Sequence, residues 1–247
     1  MATPRFFVPD LPGSPDAGVE MVLPAAAAHH ALRVLRLGVG DAITLFTGRG
    51  GEMAATIRHA DKRAAVVRIE RVDPVEREAP LAVTLVQAIA ANDAMDYAVR
   101  KAVEMGVAAI APVVSAQGAR FPDGERGDKR LAHWQQIAVA ACEQCGRNRV
   151  PVVAAPQDFG AWLGQRDRAR RGVMFAPEAT LALPALAPPD GAIDVLVGPE
   201  GGFNQHEILR AEAAGITAVR LGPRILRTET AGTAALCAIN LLWGDFR

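Results

Sequence analysis

The residues best suited to chemistry in this chain sit in two short stretches near its C-terminus. The first is Gly198-Pro199-Glu200-Gly201-Gly202, which follows the apolar run Ile193-Asp194-Val195-Leu196-Val197. The second is Pro223-Arg224-Ile225-Leu226-Arg227-Thr228-Glu229-Thr230, which follows Val219-Arg220-Leu221-Gly222. Each reads as a strand running through a loop into a helix. In an open α/β sheet, ligands settle beyond the carboxyl ends of the strands, where glycine lets a backbone approach closely, so two such loops can grip one ligand. Neither is a phosphate loop, since Gly-Lys-Ser/Thr and G-x-G-x-x-G are both missing from them. A glycine turn that carries Glu200 would also set a carboxylate beside a pyrophosphate at a Coulomb cost. A ligand that is neutral or cationic near Glu200 fits better, and S-adenosylmethionine, a sulfonium without phosphate, is one. The same five residues also read as a plain tight turn with proline at its first corner.

In the second stretch Arg224, Arg227 and Glu229 interrupt an otherwise apolar tail, where Thr228 or Glu229 is placed to cap the final helix. A plainer reading keeps Glu229 only as a favourable charge at a helix N-terminus and leaves the arginines solvated.

The elements that must position these loops follow from the pattern. The chain has 247 residues, 50% of them apolar, enough for one large or two modest cores. Residues 42 to 72 read as short strands, Ala42 to Phe46, Glu52 to Arg58 and Ala64 to Val72, separated by Gly48-Arg49-Gly50-Gly51 and Ala60-Asp61-Lys62-Arg63. The proline-flanked, charged segment 74–80 reads as a linker, which gives domains over 1–73 and 81–247. Beyond the linker, Val83 to Ile89, Val107 to Val114, Val150 to Ala154 and Val173 to Ala176 alternate with helical stretches, the largest being Asp93 to Glu104 and Arg130 to Cys145. That alternation predicts an α/β domain with a mostly parallel sheet.

Charge and cysteines narrow the function. Lys and Arg number 27 and so do Asp and Glu, so nucleic-acid binding must rest on local clusters and not on the global field. The N-terminus has no apolar signal core and no apolar run approaches membrane-spanning length, so a cytoplasmic protein without a membrane partner is expected. Cys142 and Cys145 form a C-x-x-C, but it closes a helical run instead of opening one, so the dipole that lowers a redox thiol's pKa is not there. No second C-x-x-C or paired histidine follows for zinc, and no metal is expected. Basic residues gather at Arg5, at His29 or His30 with Arg33 and Arg36 on one helical face, and at Arg120, Arg126, Lys129, Arg130, Arg147 and Arg149. Arg166 to Arg171 read as a polar surface turn.

The chain resembles the RsmE-type ribosomal RNA methyltransferases of the SPOUT class, which methylate N3 of a uridine in small-subunit (16S) rRNA. The resemblance spans nearly the whole sequence. It rests on Arg5-Phe6-Phe7-Val8, on His29-His30-x-x-Arg33-Val34-Leu35-Arg36, on Lys101-Ala102-Val103-Glu104-Met105-Gly106-Val107, on Cys142 to Pro151, and on the two C-terminal loops. One departure is Ala116-Gln117, where the family usually shows an acidic-basic pair. The resemblance implies a SPOUT-type parallel-sheet domain with a trefoil knot, and an N-terminal PUA-like small β-barrel that binds RNA through Arg5, His30, Arg33, Arg36, Arg147 and Arg149. It implies S-adenosylmethionine held by Gly198, Pro199, Glu200, Gly201, Gly202, Leu221, Gly222, Ile225, Leu226, Thr230 and Ala231. It also implies action on the assembled small subunit and a homodimer packed near the knot; Leu236, Ile239, Leu242 and Trp243 suit either that interface or the monomer core.

Uracil N3 chemistry makes two demands. The imide proton must leave, and the charge left behind spreads onto the carbonyl oxygens, so a base and a cationic donor are wanted together. Arg227 is the expected donor. Glu229 or Glu200 could take the proton, and solvent could equally do so. Ribose 2′-O-methylation and a non-catalytic assembly role are the alternatives.

Overall fold

The computed structural model describes residues 3–11, 15–61 and 64–246, in two compact units: Met1–Glu78 with Cys142–Val150, and Ala79–Ala141 with Pro151–Arg247. Lys62 and Arg63 of the expected turn lie outside the described residues, as do Met1 and Ala2 of the N-terminal stretch.

The first unit holds β1 (Arg5–Phe7), β2 (Glu20–Val22), α1 (Ala25–His29) running into a π-helical turn (His30–Val34), β3 (Ala42–Phe46), β4 (Glu52–Ala60) and β5 (Ala65–Asp73). The sheet order is β1-β3-β4-β5-β2, parallel between β1 and β3 and antiparallel elsewhere. Period-two alternation sends Met53, Ala55 and Ile57 of β4 and Ala65, Val67 and Ile69 of β5 inward, against Phe6, Leu23 and Leu45. Residues 74–78, inside the segment read as a linker, fall in this unit, and so does the distant segment Cys142–Val150. That segment is tied in by the Phe7 N–H donating to Glu143 Oε1 at 3.0 Å and the Val150 N–H donating to the Gly48 carbonyl at 3.1 Å.

The second unit alternates strand and helix: β6 (Val83–Ala88), α2 (Asn92–Glu104), β7 (Ala109–Val114), α3 (Glu125–Cys145, its last turn counted with the first unit), β8 (Val152–Val153), β9 (Gln157–Asp158), α4 (Phe159–Gln165), β10 (Arg171–Phe175), β11 (Ile193–Val197), α5 (Gln205–Ala213), β12 (Ile216–Val219) and α6 (Thr228–Trp243). The strands form one parallel sheet in the order β12-β10-β11-β6-β7-β8, with β9 also on β7. Its centre is buried on both faces, which is why β6 and β11 read as near-continuous apolar runs. Asp158 accepts from the Gly160 and Ala161 N–H groups to start α4, and an Asn204–Glu207 capping box starts α5. Among the described residues, no helix is long and apolar enough to cross a membrane.

Three sequence readings are corrected. The strand expected over Val150 to Ala154 shrinks to β8, because Val150 bonds to Gly48 instead. The Arg166–Arg171 stretch is not merely a polar surface turn. Arg166 Nη2 and Arg170 Nε reach Asp194, buried at the start of β11, at 3.3 and 2.8 Å, and Arg170 also donates to Thr84 Oγ1. A carboxylate buried in a central strand needs such partners. Finally, Thr228 and Glu229 do not cap α6; Arg227 occupies the cap position without a side-chain bond, and Thr228 is the first helical residue.

Candidate functional site

The two C-terminal loops meet at the carboxyl ends of β10, β11 and β12, around a cavity of about 320 Å³. The turn after β11 needs its glycines for separate reasons. A Cβ on Gly198 would lie 3.1 to 3.2 Å from the backbone of Gly202 and Phe203, so the turn closes tightly over a residue without one. Gly202 has φ of 72°, in the left-handed region that side chains avoid, and so does Gly222 in the other loop. Gly201 is different: the space of its Cβ is taken by Gln117, whose Oε1 would be 2.6 Å away. The departure at Ala116-Gln117 thus packs against the glycine turn, while the Ala116 N–H donates to Glu207 Oε1 at 2.8 Å.

Of the expected cofactor residues, all but Thr230 line this cavity: Gly198, Pro199, Glu200, Gly201, Gly202, Leu221, Gly222, Ile225, Leu226 and Ala231. Arg227 and Glu229 lie next to it in sequence but not on its wall; Arg227 is exposed and Glu229 half-buried. Arg224 and Thr228 are on the wall. Glu200 Oε1 accepts the Ala91 N–H at 2.9 Å, at the cap of α2, so this carboxylate anchors the turn at a helix N-terminus.

Sequence reasoning missed a third side of the cavity, Ala176-Pro177-Glu178. β10 and β11 run parallel with Phe175 opposite Val197, so Ala176-Pro177-Glu178 and Gly198-Pro199-Glu200 leave neighbouring strands at one level. The near-identity of the two tripeptides was the available signal.

The cavity suits a nucleoside-sized ligand that carries no phosphate. Its volume lies at the small end of ligand pockets, its walls alternate apolar side chains with glycine backbone, and carboxylates at Glu178 and Glu200 border it. Among the described residues, no group of three or more His, Cys, Asp or Glu side chains could hold a metal ion.

Several basic residues of the first unit are committed to internal partners. Arg5 donates to Glu52 Oε2 at 2.6 Å and to Asn148 Oδ1, and Arg147 is buried in an ion pair with Glu78. The Arg77 guanidinium, together with Arg5, holds the Glu52 carboxyl down at about 2. Arg149 reaches Glu76 at 3.4 Å. His30 packs edge-on against Phe6, and Glu143 beside it is pushed above the usual carboxylate range by burial. Arg33 lies in the π-helical turn and Arg36 just after it. Arg36 is the one non-glycine residue with positive φ, 57°, among the described residues, where the Leu37 N–H closes back on the Ala31 carbonyl at 2.9 Å. Holding an arginine there, in place of glycine, costs about 1 kcal/mol. Burial pushes the Cys142 thiol up to about 12, so Cys142 stays protonated at neutral pH.

This fold and cavity define an RNA methyltransferase. Residues 77–240 match the RNA methyltransferase domain family, and residues 23–70 match the RNA methyltransferase PUA domain. Among solved structures, a ribosomal RNA small subunit methyltransferase E from Neisseria gonorrhoeae bound to S-adenosyl methionine superposes with a TM-score of 0.93 at 39% identity, over 100% of both chains. A Legionella pneumophila methyltransferase in complex with the same cofactor gives 0.93 at 32%, again over 100% of both. The ribosomal RNA small subunit methyltransferase E of Mycobacterium bovis is 32% identical over 98% of this chain and 93% of its own. The chain belongs to the ribosomal RNA small subunit methyltransferase E family.

Proposed function

We propose that this chain transfers a methyl group from S-adenosylmethionine to N3 of a uridine in 16S rRNA, acting on the assembled small subunit in the cytoplasm. The observation that carries the reading is the cavity between two glycine turns, in a chain whose relatives of known structure hold S-adenosylmethionine at 39% and 32% identity. The cofactor supplies an electrophilic methyl group on a sulfonium. Little covalent help is then required, and the chain's part is to hold donor and acceptor in a near-attack geometry. Gly198 to Gly202, Leu221, Gly222, Ile225, Leu226 and Ala231 hold the cofactor in this reading. Arg227, exposed at the cap of α6, is the donor in this reading for the anion that forms as the imide proton leaves. Glu229 is the nearest carboxylate in sequence to take that proton, with solvent as the other acceptor. Glu200 is already committed to the Ala91 N–H, which favours an anchoring role for it.

The first unit, with residues 23–70 at its heart, is the RNA-holding part in this reading, and Arg33 and Arg36 with His30 and Arg149 are its contacts. Arg5 and Arg147 support that surface through Glu52, Asn148 and Glu78. A homodimer is proposed through α6. Leu236 and Ile239 are buried within the chain, whereas Leu241 is 62% exposed and Leu242 lies beside it. Calorimetric titration with S-adenosylmethionine, followed by a methyl-transfer assay on small subunits lacking the modification, tests the proposal. Saturable binding and a methylated uridine are expected; a chain that binds no S-adenosylmethionine refutes it.

A further inference from the structure

The two cofactor loops share a buried link. Gln87 lies on β6 opposite Val197 of β11 and is 1% exposed; Thr228, 4% exposed, opens α6. Gln87 Nε2 donates to Thr228 Oγ1 at 2.9 Å and to the Ala88 carbonyl at 3.0 Å. Thr228 Oγ1 then donates its single proton to the Gly198 carbonyl at 2.6 Å. The directions are forced, because a carbonyl only accepts, an amide nitrogen only donates and a hydroxyl has one proton. The chain of bonds therefore runs from the middle of the sheet, through the first residue of the last helix, to the first glycine of the turn.

A glutamine is out of place here. Its neighbours on β6 are Val83, Leu85, Val86 and Ala88, all buried, and its Oε1 has no hydrogen-bond partner. Burying an unpaired amide oxygen costs stability, and an apolar side chain would fill the strand without that cost. What the amide supplies is its NH₂, which bonds both its own strand and Thr228. Thr228 is on the cavity wall, and Gly198 begins the glycine turn that also lines it.

We propose that Gln87 is a positioning residue: through Thr228 it fixes the Gly198 carbonyl and the N-terminus of α6 relative to each other, so the two loops bind the cofactor as one body. This rests on the reading that the cavity takes S-adenosylmethionine. Gln87 itself does not reach the cavity, so it acts only through Thr228.

Four variants and one wild-type measurement test it. Gln87→Leu and Thr228→Val should each weaken S-adenosylmethionine binding roughly tenfold by calorimetry, the worth of one buried hydrogen bond, while Thr228→Ser, which keeps the hydroxyl, should bind as wild type does. The double variant Gln87→Leu with Thr228→Val should be little worse than either single change, because both break one linkage. Folded variants with lowered Tm but unchanged affinity would reduce the link to a structural brace and overturn the proposal. Hydrogen exchange on the wild-type chain without cofactor depends on no variant folding. Amides of 201–204 and 224–230 should open with a common free energy, and two clearly different openings would overturn the coupling. A wild-type chain that binds no S-adenosylmethionine would refute the proposed function, yet the exchange result would still judge the link.

Discussion

The cavity at the C-terminal loops and the proposed basic face of the first unit are built on opposite principles. In the cavity, the backbone does the work: a Cβ at Gly198 would crowd the turn, Gly202 and Gly222 take a left-handed φ that side chains disfavour, and the side chains of Glu200 and Thr228 are committed to holding loops in place. On the basic face the side chains are the device, and their charge alone does not say what they do. Arg5 and Arg147 look like Arg36 in sequence, yet they are drawn into ion pairs with Glu52 and Glu78. A backbone requirement leaves a residue-specific trace; a charge has to be located before it can be interpreted.

The comparison breaks first at Arg227, a side chain beside the backbone-built cavity. Arg227→Ala should lower the single-turnover methyl-transfer rate by about a hundredfold, about 2.7 kcal/mol, with cofactor and RNA saturating. Lysine should rescue only in part, since it keeps the charge and loses the planar fork. A near-normal rate in the alanine variant would leave Arg227 as a positioning residue.

The internal ion pairs of the first unit should show as acid sensitivity. Glu52 is held at about 2, against 4.5 for an ordinary glutamate, by Arg77 first and then Arg5. A depressed carboxyl contributes stability that is present above pH 4.5 and lost as pH falls toward 2. After allowing for the solvent exposure of Arg77, this contribution is about 2 kcal/mol at neutral pH. Glu52→Gln should therefore lower the stability measured in urea at pH 7, and the two proteins should converge near pH 2. Parallel stability curves over that whole range would show the pairs to be energetically idle.

At Gly201 the effect should be smaller and reversible. Gly201→Val should weaken S-adenosylmethionine binding about tenfold, about 1.4 kcal/mol, because the new side chain meets Gln117. Adding Gln117→Ala should restore most of the affinity. If it restores none, the glycine is needed by the ligand itself.

The smallest effect should come at Arg36. Arg36→Gly should raise stability by about 1 kcal/mol by relieving the left-handed backbone, while RNA binding weakens and its salt slope falls by about 1. A variant that is stabler and binds RNA with an unchanged slope would return Arg36 to the structural kind.

How much of this could be read in the sequence follows the same division. The strand Ile193–Val197 and the helix ending at Glu104 were legible because apolar period and glycine punctuation act locally. The glycine turn and the loop 221–226 were legible as a pair for the same reason. The role of Cys142–Val150 in the first unit was not, since its partners Phe7 and Gly48 lie more than a hundred residues away. Asp194 with Arg166 and Arg170 was hidden likewise, because only folding reveals that a strand-end carboxylate is buried. Thr228 looked like a helix cap because threonine at a helix start commonly is one, and its bond to Gly198 depends on two loops meeting. Glu178 was in plain view as Ala-Pro-Glu, but the resemblance to Gly-Pro-Glu acquires meaning only when β10 and β11 are neighbours.

The central claim is methyl transfer to uracil N3. It is tested most directly by mass mapping of nucleosides from 16S rRNA, after small subunits lacking the modification are incubated with the protein and S-adenosylmethionine. The account predicts a single new N3-methyluridine; methylation on a ribose 2′-hydroxyl, or no methylation by a chain that binds the cofactor, would contradict it.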